Sequence, residues 1–162
     1  MKLNNPIEID ILDFFKTGKF DYLKLGHSKE WILNNFPDPD DFGMGENLLT
    51  AKIWFYGNIE LHFDKSELFL IFSENINDLN GGQFLKLNKW ILDEPNRLSL
   101  AYFIKNLNLE RIDFSKKTEK RDLEYIRLHI SESDVELTFL DEENELTDPN
   151  EFRLSAFSLI RK

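Results

Sequence analysis

Cysteine is missing from this chain of 162 residues. A protein without cysteine has no disulfide framework, no thiol nucleophile and no cysteine-ligated metal. Long apolar runs are missing too, and none approaches the roughly 20 residues that a membrane-spanning helix needs. The first residues lack the apolar region and cleavage site of a secretory signal. We therefore expect a cytoplasmic protein with no membrane partner.

Basic side chains are few relative to acidic ones. The chain has 20 Lys and Arg against 30 Asp and Glu, which gives a net charge of −10 and a pI near 4.8. The resulting field repels DNA, RNA and anionic lipid, so we expect no nucleic-acid ligand. It would attract a basic protein and speed its association. The alternative explanation is that the acidity serves solubility alone.

Apolar and aromatic residues are abundant. They make up 41% and 14% of the chain and include 15 Phe, which is enough for a packed core. Ile7, Ile11 and Phe14 recur at helical spacing, which predicts a helix that begins at Pro6 and ends before Gly18.

A second, short helix is expected after Ser28, which stands in an N-cap position. Pro37 should end it, because proline disfavours helix in the residue before it. Beyond this point the hydrophobic period changes to two. Residues 51–56 and 59–63 flank a Gly-Asn turn and predict a β-hairpin, to which residues 68–72 add a third strand.

The second half of the sequence repeats this order in weaker form. The strand sequence IELHF at 59–63 is echoed by VELTF at 135–139. Ser99 precedes an apolar run as Ser28 does, so it should cap an equivalent helix. This shared order favours a tandem duplication.

These patterns predict an α+β fold. We expect two tandem units, residues 1–80 and 81–162, each with two helices followed by an antiparallel β-meander. The units should form one or two antiparallel sheets packed on the helices. The strands expected in the second unit are 123–130, 135–140 and 152–160.

Three motifs resemble a family of small uncharacterised bacterial proteins. They are LKLGHS at 23–28, PDD at 39–41 and WFYGNIELHF at 54–63, which follow the pattern L-x-L-G-x-[ST], helix, P-D-D, W-x-Y-G-x-x-x-L-x-F. The likeness covers residues 12–72. At 35–38 the sequence NFPD replaces the glycine that usually precedes the turn. Because the motifs consist of packing and turn residues, the resemblance implies a fold and no particular activity.

The order of two helices followed by an antiparallel meander also looks like the β-lactamase-inhibitor and BamE-type fold. In the inhibitor protein this unit occurs twice in tandem, and the concave sheet face binds another protein. The likeness therefore implies a sheet that binds a protein, although fold alone does not establish function. Small acidic immunity proteins of bacteria, which neutralise a cognate toxin, are similar in type.

Asp38, Asp40 and Asp41 form an acidic loop after the second predicted helix. If Asp38 were position 1 of an EF-hand, Phe42 and Leu49 would stand at positions 5 and 12, which require oxygen ligands. The EF-hand signature is therefore absent. Turn formation, contact with a partner and another kind of metal site remain as explanations of the loop.

Catalytic motifs are missing. His27, His62 and His129 lack the spacing of a zinc site, and no serine lies in a nucleophile motif. Glu60 and Glu136 hold equivalent strand positions, either as exposed polar residues or as a pair of carboxylates for acid–base chemistry. We expect no cofactor, no metal and no enzymatic activity, with a carboxylate hydrolase as the least favoured alternative.

Candidate partner-binding residues form two groups, one on strands and one in acidic loops. The strand candidates, which require an outward-facing side chain, are Trp54, Tyr56, Glu60, His62 and Glu136. The loop candidates are Asp38, Asp40, Asp41, Asp141, Glu142, Glu143 and Glu145. Their chemistry suits a basic protein. The preferred function is an immunity or inhibitor protein that neutralises a basic toxin or enzyme, and the alternative is a BamE-like assembly or adaptor module.

Overall fold

A computed structural model describes residues 5–94, 98–120, 124–141 and 148–162. Within them the chain has an α+β fold with three α-helices, an eight-stranded antiparallel sheet and a two-stranded parallel sheet. The helices are α1 (Ile11–Thr17), α2 (Lys29–Asn35) and α3 (Leu100–Leu109). The strands are β1 (Ile7–Asp10), β2 (Asp41–Gly43), β3 (Ile53–Tyr56), β4 (Ile59–Asp64), β5 (Glu67–Ser73), β6 (Leu85–Asn88), β7 (Phe114–Lys120), β8 (Glu124–Ile130), β9 (Glu136–Leu140) and β10 (Arg153–Ile160). None of these helices is long and apolar enough to cross a membrane.

Two antiparallel meanders make up the large sheet, whose strand order is β2-β3-β4-β5-β10-β9-β8-β7. Each meander runs from an edge to the centre, and the two meet where β5 pairs with β10. The strands predicted for the two meanders are confirmed. Their edge-to-edge junction gives one continuous sheet.

The helix ends follow local sequence signals. Ser28 Oγ accepts a hydrogen bond from Trp31 N at 3.0 Å. Ser99 Oγ accepts the equivalent bond from Tyr102 N at 3.2 Å. Gly18, with φ of 74°, ends α1 in the left-handed conformation that glycine adopts without strain. The predicted caps are therefore confirmed.

The helix predicted from Pro6 is wrong at its start. Residues Ile7–Asp10 form β1, which pairs in parallel with β6 (Leu85–Asn88). The segment alternates apolar and acidic residues, so its pattern also fits a strand, and the second apolar segment decides between the two. Asp10 then accepts a hydrogen bond from Asp13 N at 3.2 Å and caps α1.

The two edge strands of the large sheet, β2 and β7, were not predicted. In β7 the residues Ser115, Lys116, Lys117 and Thr118 are all exposed. A polar and lysine-rich sequence does not resemble a buried strand, but it is common at a sheet edge, where lysine discourages pairing with other chains.

One hydrophobic core lies between the helices and the inner face of the sheet, and it contains residues of both halves of the chain. The rings of Phe14 and Phe15, on α1, each lie 5.7 Å from the ring of Phe157, on β10. Ser133 Oγ donates a hydrogen bond to Phe15 O at 2.6 Å. The two predicted units therefore pack on a shared core.

The cap of α2 and the cap of α3 are joined to the sheet in the same way. In each case two backbone hydrogen bonds link the cap to the start of the last strand of its meander. The bonds are Leu68 N to His27 O (2.9 Å) and Lys29 N to Ser66 O (2.9 Å) in the first half, and Leu154 N to Leu98 O (2.9 Å) and Leu100 N to Phe152 O (2.8 Å) in the second half. The two halves thus share a backbone arrangement.

The β-bulges of the two meanders are also placed alike. The register of β4 with β5 skips Phe69, and that of β9 with β10 skips Ser155, each one residue beyond the cap-bonded leucine. Where the two meanders meet, Phe72 on β5 pairs with Ser158 on β10. This matched geometry does not by itself show a tandem repeat, so the duplication stays a proposal.

Candidate protein-binding face

The side of the large sheet that faces away from the core is its open face. Along β4 and β9, buried residues alternate with partly exposed ones, as expected when one face packs on a core and the other meets solvent. The central side chains of the open face are Phe55, Glu60, His62, Phe69, Phe72, Arg127, His129 and Glu136. The predicted positions Glu60, His62 and Glu136 therefore lie on a common face.

The first half of the open face combines a hydrogen-bonded histidine–glutamate pair with aromatic rings. His62 Nε2 lies 2.7 Å from Glu60 Oε2, and both side chains are about one quarter exposed (22% and 25%). The rings of Phe69 and Phe72 meet the His62 ring at centroid distances of 6.3 and 6.5 Å, both nearly edge-on. The pair is thus held against apolar neighbours rather than in open solvent.

The second half of the open face carries a charged network. His129 Nε2 lies 3.0 Å from Asp134 Oδ1, and His129 Nδ1 lies 3.5 Å from Glu136 Oε1. Arg127 Nε lies 3.4 Å from Glu136 Oε2, and its guanidinium stands 5.4 Å from the ring centroid of Tyr125. Arg127 was not among the candidates predicted from the sequence. The period of two along β8 could have identified it, because it places Tyr125, Arg127 and His129 on one face.

Glu60 and Glu136 do not converge as a catalytic pair would. They lie on β4 and β9, which are separated in the sheet by β5 and β10. Three inter-strand spacings amount to about 14 Å between these strands, whereas paired carboxylates of glycosidases stand about 5–9.5 Å apart. This arrangement does not suit acid–base chemistry on one bond.

The acidic loop has a structural role at Asp40. Asp40 Oδ2 accepts a hydrogen bond from Gly57 N at 2.8 Å, and Asp40 Oδ1 accepts one from Gln83 N at 3.0 Å. One carboxylate thus ties the turn between β3 and β4 to the segment that leads into β6. Asp41 Oδ1 accepts a hydrogen bond from Phe42 N at 2.8 Å, while Asp38 is half-buried.

Trp54 and Tyr56 point into the core, so the outward orientation on which their prediction depended does not occur. Trp54 is 0% exposed and Tyr56 is 1% exposed. Trp54 Nε1 donates to Leu48 O at 2.9 Å, and the Tyr56 hydroxyl donates to Pro37 O at 2.7 Å. Burial, together with the carboxylates of Asp38 and Asp40, raises the pKa of Tyr56 far above its usual range. Neither side chain is placed to contact a partner.

Of the loop candidates at 141–145, the structure describes only Asp141. Asp141 is buried at 8% exposure, so it does not act as an exposed loop charge. Glu142, Glu143 and Glu145 lie outside the described residues. The prediction that this loop contacts a basic partner therefore stays a prediction.

A groove of about 520 Å³ lies between the end of α1 and the start of β7. Its charged walls include Lys16 and Glu110, whose Nζ and Oε2 atoms lie 3.4 Å apart. Arg111, Asp113 and Glu132 also line the groove, so its walls carry both signs of charge and favour no ligand of one sign. Among the described residues, no group of three metal-ligating side chains is close enough to hold a metal ion.

Comparison of the chain with protein-family models, curated proteins and solved structures gives no match. The resemblance to a small bacterial family and to the inhibitor fold therefore stays an expectation drawn from motifs and element order.

Proposed function

We propose that this chain is a non-enzymatic binding protein that contacts a basic protein partner through its open face. The preferred version is a bacterial immunity or inhibitor protein that covers a basic site of a toxin or enzyme. The observation that carries the proposal is the open face itself, where aromatic rings and ordered ion pairs lie side by side on one sheet.

The composition of the open face supports contact with a protein. Specific interfaces combine apolar groups that exclude water with a polar surround, and aromatic and arginine side chains contribute most to their affinity. Phe55, Phe69 and Phe72 provide the apolar part, and Arg127 with its ion pair provides the polar part. These side chains stand on β3, β5 and β8 of one continuous sheet, so their backbone is already ordered before binding.

The charge of the whole chain supports a basic partner. With a net charge of −10, the protein would steer a positively charged protein towards it and raise the association rate, most strongly at low ionic strength. On the open face itself Glu60 lies against His62 and Glu136 lies against Arg127, so the long-range attraction comes from the charge of the whole chain.

We also propose that residues 1–80 and 81–162 arose by tandem duplication. The matched cap bonds and matched bulges of the two meanders support it, as does the in-register pairing of β1 with β6. Asn35 and Asn106 give a further match, since each donates to the carbonyl four residues earlier, at 2.8 and 2.9 Å. A duplicated unit would explain how a small chain builds a face eight strands wide.

The experiment is a capture of partner proteins from the cells in which the chain occurs, with the double variant Glu60→Gln/Glu136→Gln beside the wild type. Capture of one basic protein in equal amount is expected, together with a several-fold slower association of the variant at low salt. The matched control is Glu30→Gln/Glu151→Gln, which removes the same charge from exposed positions outside the open face. An equal effect of both variants would refute the role of the open face, and capture of assembly components without a basic protein would favour an adaptor.

A further inference from the structure

Residues 44–52 form a nine-residue loop between β2 and β3, which we call the recognition loop. It carries two of the most exposed large apolar side chains among the described residues, Met44 at 67% and Leu49 at 66%. Two such side chains on one short loop cost solvation free energy unless they are buried in a complex.

The recognition loop is held in one conformation by its own polar groups. Thr50 Oγ1 accepts hydrogen bonds from Glu46 N and Asn47 N at 3.0 and 3.1 Å. Asn47 Oδ1 accepts from Leu49 N and Thr50 N at 2.9 and 3.1 Å. At Gly45 the loop closes so tightly that an added Cβ would lie 2.4 Å from the backbone of Ala51. The exposed side chains therefore stand on an ordered scaffold.

Two buried side chains, Lys29 and Trp54, hold the recognition loop by hydrogen bonds to its carbonyl groups. Lys29, only 6% exposed, donates from Nζ to Leu49 O at 2.8 Å and to Ala51 O at 2.5 Å. Its ammonium also lies 5.2 Å from the ring centroid of Phe63, and burial lowers its pKa. The buried Trp54 donates to Leu48 O at 2.9 Å. Burying a lysine is costly unless its donors are satisfied, and here the two loop carbonyls accept from it.

The loop length differs at the corresponding place in the second half. The corresponding edge strands, β7 and β8, are separated by three residues, whereas β2 and β3 are separated by nine. At the helix position that matches Lys29 in the cap hydrogen bonds, the second half has Leu100, an ordinary core residue. The long loop and the buried lysine that holds it therefore occur together in one half.

We infer that the recognition loop inserts Met44 and Leu49 into an apolar recess of the basic partner, so that it forms a second contact beside the open face. The inference rests on the proposed function. Residues 40–52 contain Asp40, Asp41 and Glu46 against the single cation Lys52, so the segment that carries the two exposed apolar side chains is acidic. A recess rimmed by lysine or arginine complements both features. A preordered loop binds with less entropic loss than a mobile one.

The experiment places a photoreactive benzophenone side chain at position 44 or 49 of the full chain, which is then irradiated in lysate of its native cells. The matched control position is Leu109, which is 69% exposed but lies on α3. A further probe at position 55 reports on the open face. One basic protein should crosslink from positions 44, 49 and 55 and not from 109.

Crosslinking from position 55 alone would overturn the recognition loop and leave the proposed function standing. Crosslinking from none of the three positions would overturn both, and identical products from 109 would mark the loop adducts as non-specific. As a second readout, Met44→Ser/Leu49→Ser should weaken capture of that protein at least tenfold at an unchanged melting temperature, whereas Leu109→Ser should not. Equal capture by the two variants would also overturn the inference.

Discussion

Tyr56 is buried, although the sequence placed it among the candidates for partner contact. Its hydroxyl is the hydrogen-bond donor to Pro37 O, at the exit from α2, in a fully buried position. Tyr56→Phe should therefore lower the free energy of unfolding by about 1–3 kcal/mol at neutral pH, because a buried carbonyl loses its donor. Urea denaturation of both proteins checks this. Tyr102→Phe, which affects an exposed hydroxyl, is the matched control and should change little.

The same pair of proteins tests the raised pKa of Tyr56. In the unfolded chain a tyrosine loses its proton near pH 10, whereas the folded protein keeps the Tyr56 proton at higher pH. The folded state then binds more protons than the unfolded state, so stability falls as pH rises above about 10. The advantage of wild type over Tyr56→Phe should shrink by up to about 1.4 kcal/mol per pH unit in that range. A constant difference from pH 8 to pH 11 would contradict the raised pKa.

Individual strand residues explain why part of the site could be predicted. In β4 apolar and polar residues alternate, and the sequence placed Glu60 and His62 correctly on the face opposite Leu61. In β3 all four residues are apolar or aromatic, so alternation cannot tell which two point inward. Trp54 and Tyr56 point inward, where the recognition loop and the segment that follows α2 supply carbonyl partners for their polar atoms, which is a tertiary property.

At the scale of elements, Lys29 links α2 to the recognition loop. Lys29→Met keeps a long side chain but leaves Leu49 O and Ala51 O without their ammonium donor. The amides of Ala51 and Lys52, which close the loop onto Asn47 O and Met44 O, should then exchange with solvent at least tenfold faster. Hydrogen exchange measured by NMR checks this.

The control for that variant lies in the same protein. Amides in the middle of α3 are remote from Lys29 and should keep their protection if only the recognition loop has loosened. A uniform loss of protection in α3 and the loop would indicate global destabilisation, and unchanged loop amides would show that Lys29 does not hold the loop.

Elements with a strong local signal were predicted, and those defined by distant partners were not. Ser28, Ser99 and Gly18 mark helix ends through bonds to neighbouring residues, so the sequence suffices to find them. In contrast, β1 becomes a strand because of β6, more than 70 residues away, and β7 is a polar strand supported by β8 alone. Tertiary pairing overrides the local pattern in both cases.

At the scale of the whole molecule, the two halves are joined by hydrogen bonds and by packing. The pairing of β5 with β10 makes the sheet continuous, and the Phe14, Phe15 and Phe157 rings connect helix α1 to the second half. A binding face that spans both halves keeps its shape only if they do not move against each other. The shared core supplies that rigidity.

A shared core also predicts that the halves unfold together. Leu61 and Leu137 are fully buried at matching positions on β4 and β9, and truncating either to alanine should cost about 2–5 kcal/mol. If the protein unfolds in one cooperative step, Leu137→Ala should lower the exchange protection of the slowest β4 amides as much as that of the slowest β9 amides. Likewise, Leu61→Ala should lower the protection of the slowest β9 amides as much as that of the slowest β4 amides. Loss confined to the mutated half would mean that each unit opens independently, and the open face would then be two separate surfaces.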